Sequence, residues 1–142
     1  MKIKVAWVGK TKAAEIQRLS DEYVKRISRY AEIEGVTVKD EAAILAIAAG
    51  SRCKLVPLDS RGKQYSSEEF AVFLEREQVN AVPLLFAIGG SDGFGDEVRK
   101  KAGFVWSLGK LTLPHELARV VMLEQIYRAF TILRGHPYHV GH

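Results

Sequence analysis

One cysteine, Cys53, is all the sulfur chemistry this chain has for cross-linking. It excludes an internal disulfide and points to a reducing compartment. A small apolar residue entering a strand is the simplest role for it. No apolar run is long enough to span a bilayer, and MKIKVAWVGK is too short in apolar residues for a secretory leader. The expectation is therefore a cytoplasmic protein without a membrane partner. The phosphate-loop patterns G-x-G-x-x-G and G-K-[ST] are both missing. His115, His136 and His139 show no H-x₃-H spacing and have no cysteine to join them, so no metal is expected. No Ser/His/Asp or Cys/His triad presents itself. Charge of neither sign dominates: the net of +4 is compatible with a nucleic-acid partner without requiring one.

What is present suits a globular chain. Hydrophobic residues make up 47% of its 142 residues, enough for a real core, and one domain over 1–142 is expected. Ile3–Val8 reads as a strand stopped by Gly9. Ile16, Leu19, Tyr23, Ile27 and Tyr30 recur at helical spacing. The opposite face carries Arg18, Lys25, Arg26 and Arg29, which form either a solvated surface or a phosphate-contacting patch. Gly35–Lys39 reads as a short strand, and Asp40 caps a short helix, Glu41–Ala49, ended by Gly50. Lys54–Leu58 is the next strand, followed by a polar turn, Asp59–Lys63. Ser66 and Glu69 form a capping box for a helix to about Gln78, with Phe70, Phe73 and Leu74 inward. Strands Leu84–Ile88 and Phe104–Ser107 flank a short charged helix. A long helix runs from Pro114 to about Leu133. Strands alternating with helices predict an α/β fold, a mainly parallel sheet flanked by helices.

The C-terminal stretch carries the signs of a site. Leu84–Ile88 ends in a loop with Gly89, Gly90, Gly93 and Gly95, residues able to take positive φ and to let a ligand approach. Leu108–Leu113 is an apolar loop between a strand and a helix, suited to a flat ligand such as an adenine ring. Two loops after two parallel strands place a ligand at the strand C-termini. In the long helix, Leu117, Val120, Val121, Met122, Leu123, Ile126, Tyr127, Phe130 and Leu133 cover more than one face. Either a partner subunit covers the second side, making a homodimer, or the helix is sandwiched inside its own chain. The tail gathers His136, Tyr138 and His139, as part of a site or as a disordered end.

The stretch IGGSDGFG…WSLGKLTLPHELARVVMLEQIYRAFTILRGHPYH resembles the C-terminal half of the SPOUT-class ribosomal RNA large subunit methyltransferase H family. MKIKVAWVGK and LVPLDSRGKQYSSEEFA resemble it too, so the likeness covers most of the chain. The resemblance implies S-adenosyl-L-methionine-dependent N3-methylation of a pseudouridine in 23S ribosomal RNA on the assembled ribosome. It also implies a homodimer with a C-terminal trefoil knot at the cofactor site. By position, Leu58, Gly89, Leu108, Gly109, Lys110, Leu111, Thr112 and Leu113 would hold the cofactor. Arg119, Glu124, Tyr127 and Arg128 match the family's helix positions. His136, Tyr138 and His139 match its tail, expected to reach the partner's cofactor. His139 would assist removal of the imide proton, Tyr138 would position the base, and Arg128 or Arg119 would steady the developing anion or hold phosphate.

Two departures accompany the resemblance. The chain is shorter than is usual between about Gly35 and Cys53, which bears on how RNA is approached. It ends in Val140-Gly141-His142, where some members carry a basic residue. The rival readings are a non-catalytic RNA- or ribosome-binding module on the same scaffold and a different α/β nucleotide-binding enzyme. The latter would need the phosphate loop that is absent.

Overall fold

A computed structural model describes residues 1–140; the Gly141-His142 part of the C-terminal departure lies outside the described residues. The elements are β1 (Lys2–Val8), α1 (Ala14–Ile27), β2 (Glu32–Val38), α2 (Glu41–Ser51), β3 (Lys54–Gln64), α3 (Ser67–Val79), β4 (Leu84–Ile88), α4 (Asp96–Lys101), β5 (Trp106–Ser107) and α5 (His115–Leu133). The strands form a five-stranded sheet in the order β2-β1-β4-β3-β5, every pair parallel. This is the α/β class expected from the alternation of strands and helices. Among the described residues, no helix is long and apolar enough to cross a membrane.

The sheet alternates its side chains between two helical layers. Val5, Trp7, Val56, Phe86 and Ile88 point into a core shared with α1, α3 and α5. Ala6, Leu55, Leu85 and Ala87 face the other way, onto Ile44 of α2 and Val98 of α4. β4 is buried at every position, as a central strand covered on both faces must be. The capping box of α3 forms as its sequence dictates: Glu69 N–H donates to Ser66 Oγ and Ser66 N–H to the Glu69 carboxylate. Asp40 caps α2 by accepting from Ala43 N–H.

Several boundaries differ from expectation, each for a tertiary reason. β2 begins at Glu32, before Gly35, because it pairs along the whole of β1. A Cβ on Gly35 would lie 2.7 Å from the Trp7 ring, so this glycine makes room for the indole rather than opening the strand. α2 runs through Gly50 to Ser51 and ends on Arg52, which takes the left-handed conformation at φ 52. β3 continues to Gln64. Leu58 and Lys63 both pair with Trp106, so the polar turn between them is an irregularity inside a strand. β5 is only 2 residues long, Trp106–Ser107, rather than Phe104–Ser107. Trp106 anchors it by stacking on Phe70 of α3 at 4.1 Å.

The two-sided helix α5 packs between α1 and α3 of its own chain. Met122, Leu123 and Ile126 are fully enclosed there, and Phe130 stacks on Tyr30 at 5.5 Å. The sandwiched alternative therefore accounts for these residues, and they carry no argument for a second subunit.

Candidate functional site

The irregularity inside β3 and the C-terminal ends of β4 and β5 open onto one cleft of about 920 Å³. Leu58–Arg61 form its first wall, the turn Gly90–Phe94 its second, and the loop after β5 its third. The first turn of α5 closes it with His115 and Ala118. Leu58, Leu108, Gly109, Leu111, Thr112 and Leu113 all line this cleft, whereas Gly89 and Lys110 stand outside its lining. Leu111 is 85% exposed, an apolar side chain at the rim of a half-apolar cavity. Gly109 has φ +131, a conformation that a side chain resists, and Ser107 Oγ accepts from its N–H at 3.1 Å.

The glycine turn differs from the expectation of general positive φ. Within it only Gly93, at φ 72, is left-handed. Gly89 is buried, and a Cβ there would stand 3.0 Å from the backbone carbon and oxygen of Gly93. Its glycine is required by crowding inside the turn, which closes through Gly93 N–H donating to Gly90 O at 3.0 Å.

Gly90, read in the sequence as part of the ligand loop, lines the cleft, and so do Asp59, Ser60, Arg61 and His115, to which the sequence assigned no part in the site. The available signal was position, since Asp59 directly follows Leu58, where the sequence ends a strand and the structure places the irregularity of β3. Its carboxylate accepts from Arg61 N–H at 2.9 Å and from Arg99 Nη1 at 3.5 Å. Burial would raise its pKa, but the bonds and charges of Arg61 and Arg99 outweigh that and hold it below the ordinary value. Asp59 is thus an anion committed to bracing the loop.

Arg119 lies beside β1, 1% exposed. Its guanidinium sits over the Trp7 ring at 4.1 Å, and Nη1 donates to Thr11 Oγ1 at 2.7 Å. Its Nε is buried without a hydrogen-bond partner among the described residues, and burial lowers its pKa. One turn earlier, Glu116 accepts from the N–H groups of Lys12 and Ala13, tying α5 to the start of α1.

The remaining polar candidates gather elsewhere. Glu124 accepts from Arg128 Nη2 at 2.7 Å and from Tyr138 OH at 2.7 Å. Arg128 lies over the Tyr138 ring at 4.9 Å and its Nη1 meets His139 Nδ1 at 2.9 Å. Tyr138 also packs edge-on against Tyr127 at 4.8 Å. Burial, then the Glu124 carboxylate and Tyr23, push the Tyr138 phenol well above its ordinary pKa. Tyr138 is therefore a neutral donor, not a base. The tail is ordered by these contacts, and Tyr138 N–H donates to His136 Nδ1. Helical rise puts Arg128 about 20 Å along α5 from His115. One chain thus unites Arg128, Tyr138 and His139 but leaves them apart from the cleft. His115 is at the cleft while His136 and His139 are in the tail, and among the described residues no cluster of metal-binding side chains forms.

Comparison with known proteins identifies the fold and the family. A family model described as predicted SPOUT methyltransferase matches residues 1–139. A Koribacter versatilis protein named ribosomal RNA large subunit methyltransferase H is 53% identical, covering 100% of both chains. Its Geobacter sulfurreducens namesake is 47% identical, over 98% of this chain and 99% of that one. In fold, the chain is similar to the SpoU methyltransferase AviRb of Streptomyces viridochromogenes, with TM-score 0.58 and 15% identity. That likeness covers 94% of this chain and 61% of AviRb. A second AviRb structure, in complex with AdoMet, aligns with TM-score 0.54 at 12% identity, over 93% of this chain and 61% of that one. A putative methylase family protein from Neisseria gonorrhoeae aligns with TM-score 0.55 at 10% identity, over 95% of this chain and 94% of that one. With the family model spanning nearly its whole length and curated relatives matching end to end, this chain belongs to the SPOUT methyltransferases, in the ribosomal RNA large subunit methyltransferase H family.

Proposed function

We propose that the protein is an S-adenosyl-L-methionine-dependent methyltransferase that N3-methylates a pseudouridine of 23S ribosomal RNA on the assembled ribosome, in the cytoplasm. The full-length likeness to the Koribacter protein carries this reading. The cleft supports the cofactor, because its volume of about 920 Å³ and mixed apolar and backbone lining suit a nucleoside with an amino-acid arm. Leu58, Leu108, Leu111 and Leu113 would enclose its apolar parts, and the backbone of Gly109 and Thr112 would orient it. Gly89 would act through the shape of the turn, and Lys110 from outside the lining. The cofactor supplies an electrophilic methyl group on a sulfonium. The knot implied by the family would lie in this C-terminal region.

The imide nitrogen is a poor nucleophile while protonated, so the chain must supply a base and a positive charge. His139 is the candidate to accept that proton. Arg128 would steady the resulting anion, Tyr138 would hold the base through its ring and hydroxyl, and Arg119 would contribute charge behind β1. The distance between this cluster and the cleft in one chain supports a homodimer in which each tail completes the partner's site. Leu19 of α1 and Leu117 of α5 are exposed apolar side chains that such a partner could cover.

Calorimetric titration with S-adenosyl-L-methionine, joined to mass mapping of ribosomal RNA from cells lacking the protein, tests the activity. Cofactor binding and one missing methyl group on a 23S pseudouridine are expected. Absence of binding would favour a non-catalytic ribosome-binding module. Mixing a subunit truncated after Arg134 with a cleft mutant should restore part of the activity. No recovery in demonstrably mixed dimers would place the tail in its own subunit's site.

A further inference from the structure

We propose that Glu68, at the start of α3, is a positioning residue for His139, a role that rests on the function proposed above. The neighbours of the imidazole carry the argument. Arg128 Nη1 lies 2.9 Å from Nδ1, and Glu68 Oε1 lies 2.5 Å from Nε2. A guanidinium has donors only, so Nδ1 must be the accepting, unprotonated nitrogen. The neutral ring then carries its proton on Nε2 and donates it to Glu68. Glu68 stands in the first turn of α3, where the helix N-terminus favours a carboxylate anion. The bond from His139 lowers its pKa further. The His139 side chain is 28% exposed and that of Glu68 64%, so a nucleic acid can reach the pair from solvent.

This arrangement selects which nitrogen does chemistry. With the Nε2 proton held by Glu68, the lone pair of His139 is on Nδ1, next to Arg128. Once the substrate's negative charge draws Arg128 to itself, Nδ1 is open to the imide. The N3–H bond then breaks with its proton passing to Nδ1. The N3 electron pair forms the new N–CH₃ bond as the S–CH₃ bond breaks, and that bond's electrons stay on sulfur as a neutral thioether. Glu68 faces the imidazolium so formed, and the proton later leaves to water. A base oriented by a third group is a recurring catalytic arrangement. Its Glu68 member is 71 residues from His139 in the chain.

The test uses the full-length protein with ¹⁵N-labelled histidine, S-adenosyl-L-methionine, and ribosomes from cells lacking the protein. Wild type should show His139 protonated on Nε2 alone, with that proton protected from exchange. E68Q keeps an accepting oxygen and should retain the signal, whereas E68A should lose it. In E68A kcat should fall by about tenfold, the low end of what removing the outer partner of a metal-bound imidazole costs. E68Q should lie between E68A and wild type, and KM for the cofactor should stay unchanged in both. An active wild type with E68A equal to it in kcat, or an Nε2 proton still protected in E68A, would overturn the positioning role alone. A wild type without methyl transfer, or a fully active H139A, would overturn the proposed chemistry of His139 and the role of Glu68 with it.

Discussion

Glu124→Ala should be among the most damaging single changes outside the hydrophobic core. The Glu124 carboxylate is 18% exposed and its partner Arg128 14%. It accepts from Arg128 Nη2, Arg128 Nε, Gln125 Nε2 and Tyr138 OH. Truncation removes the carboxylate that Arg128 and the Tyr138 phenol share. Breaking a buried pair costs about 3–5 kcal/mol, whereas a surface pair is worth about 0–1 kcal/mol. A pair enclosed to this degree should fall between, at about 2–3 kcal/mol, or ~6–10 °C in Tm for a chain of this length. Tyr138→Phe removes the hydroxyl that donates to the Glu124 carboxylate and interacts with Tyr23, and should cost about 1.5 kcal/mol or more. The double variant should be less destabilised than the sum, because Glu124→Ala has already removed the Tyr138 bond.

Acidification supplies a sign-specific control. Burial raises the Glu124 pKa, but the bonds from Arg128 and Tyr138 outweigh it and hold the carboxyl below its usual value. A depressed carboxyl stabilises the fold above the unfolded-state pKa of about 4.3, and that contribution fades as pH falls through the folded value. The gap between wild type and Glu124→Ala should be full at pH 7 and shrink below about pH 4. Thermal melts at pH 7 and below pH 4 measure it. A variant melting within about 1 °C of wild type at pH 7, or a gap that persists in acid, would refute the account of this cluster.

Three further predictions follow from burial and crowding. Met122→Glu and Ile126→Glu place a charge at positions enclosed by α1 and α3, so circular dichroism should find loss of fold rather than release of a partner. A soluble, folded monomer from either variant would return these residues to a subunit interface. Gly89→Val adds atoms where even a Cβ meets the Gly93 backbone at 3.0 Å, so calorimetry should register loss of S-adenosyl-L-methionine binding. Unchanged affinity would detach the glycine turn from the site. Truncation after Arg134 leaves the core helix and cleft intact, so the cofactor should still bind while methyl transfer to ribosomes stops. An active truncated homodimer would remove the tail from the chemistry.

Features that depend on near neighbours were legible in the sequence. The Ser66–Glu69 capping box, the Asp40 cap and the buried run Leu84–Ile88 are set by residues a few positions apart, and all three occur where the sequence places them. The family motif likewise lies in contiguous stretches, so membership could be read before any coordinates. Features that depend on what packs across the fold could not be read. The run Asp59–Lys63 has the composition of a turn, yet β3 continues through it because β5 pairs on the far side. Gly89 looked like a residue chosen for positive φ, and only the closed turn revealed a steric demand from Gly93. The apolar pattern of α5 was the same for a dimer interface and an internal sandwich; the positions of α1 and α3 decided for the sandwich at Met122 and Ile126. Glu68 lies in a stretch that carries the family likeness, but nothing in that stretch points to His139. It meets His139 because α3 and α5 pack side by side and the tail returns along them, a proximity produced by tertiary packing and encoded in no local spacing.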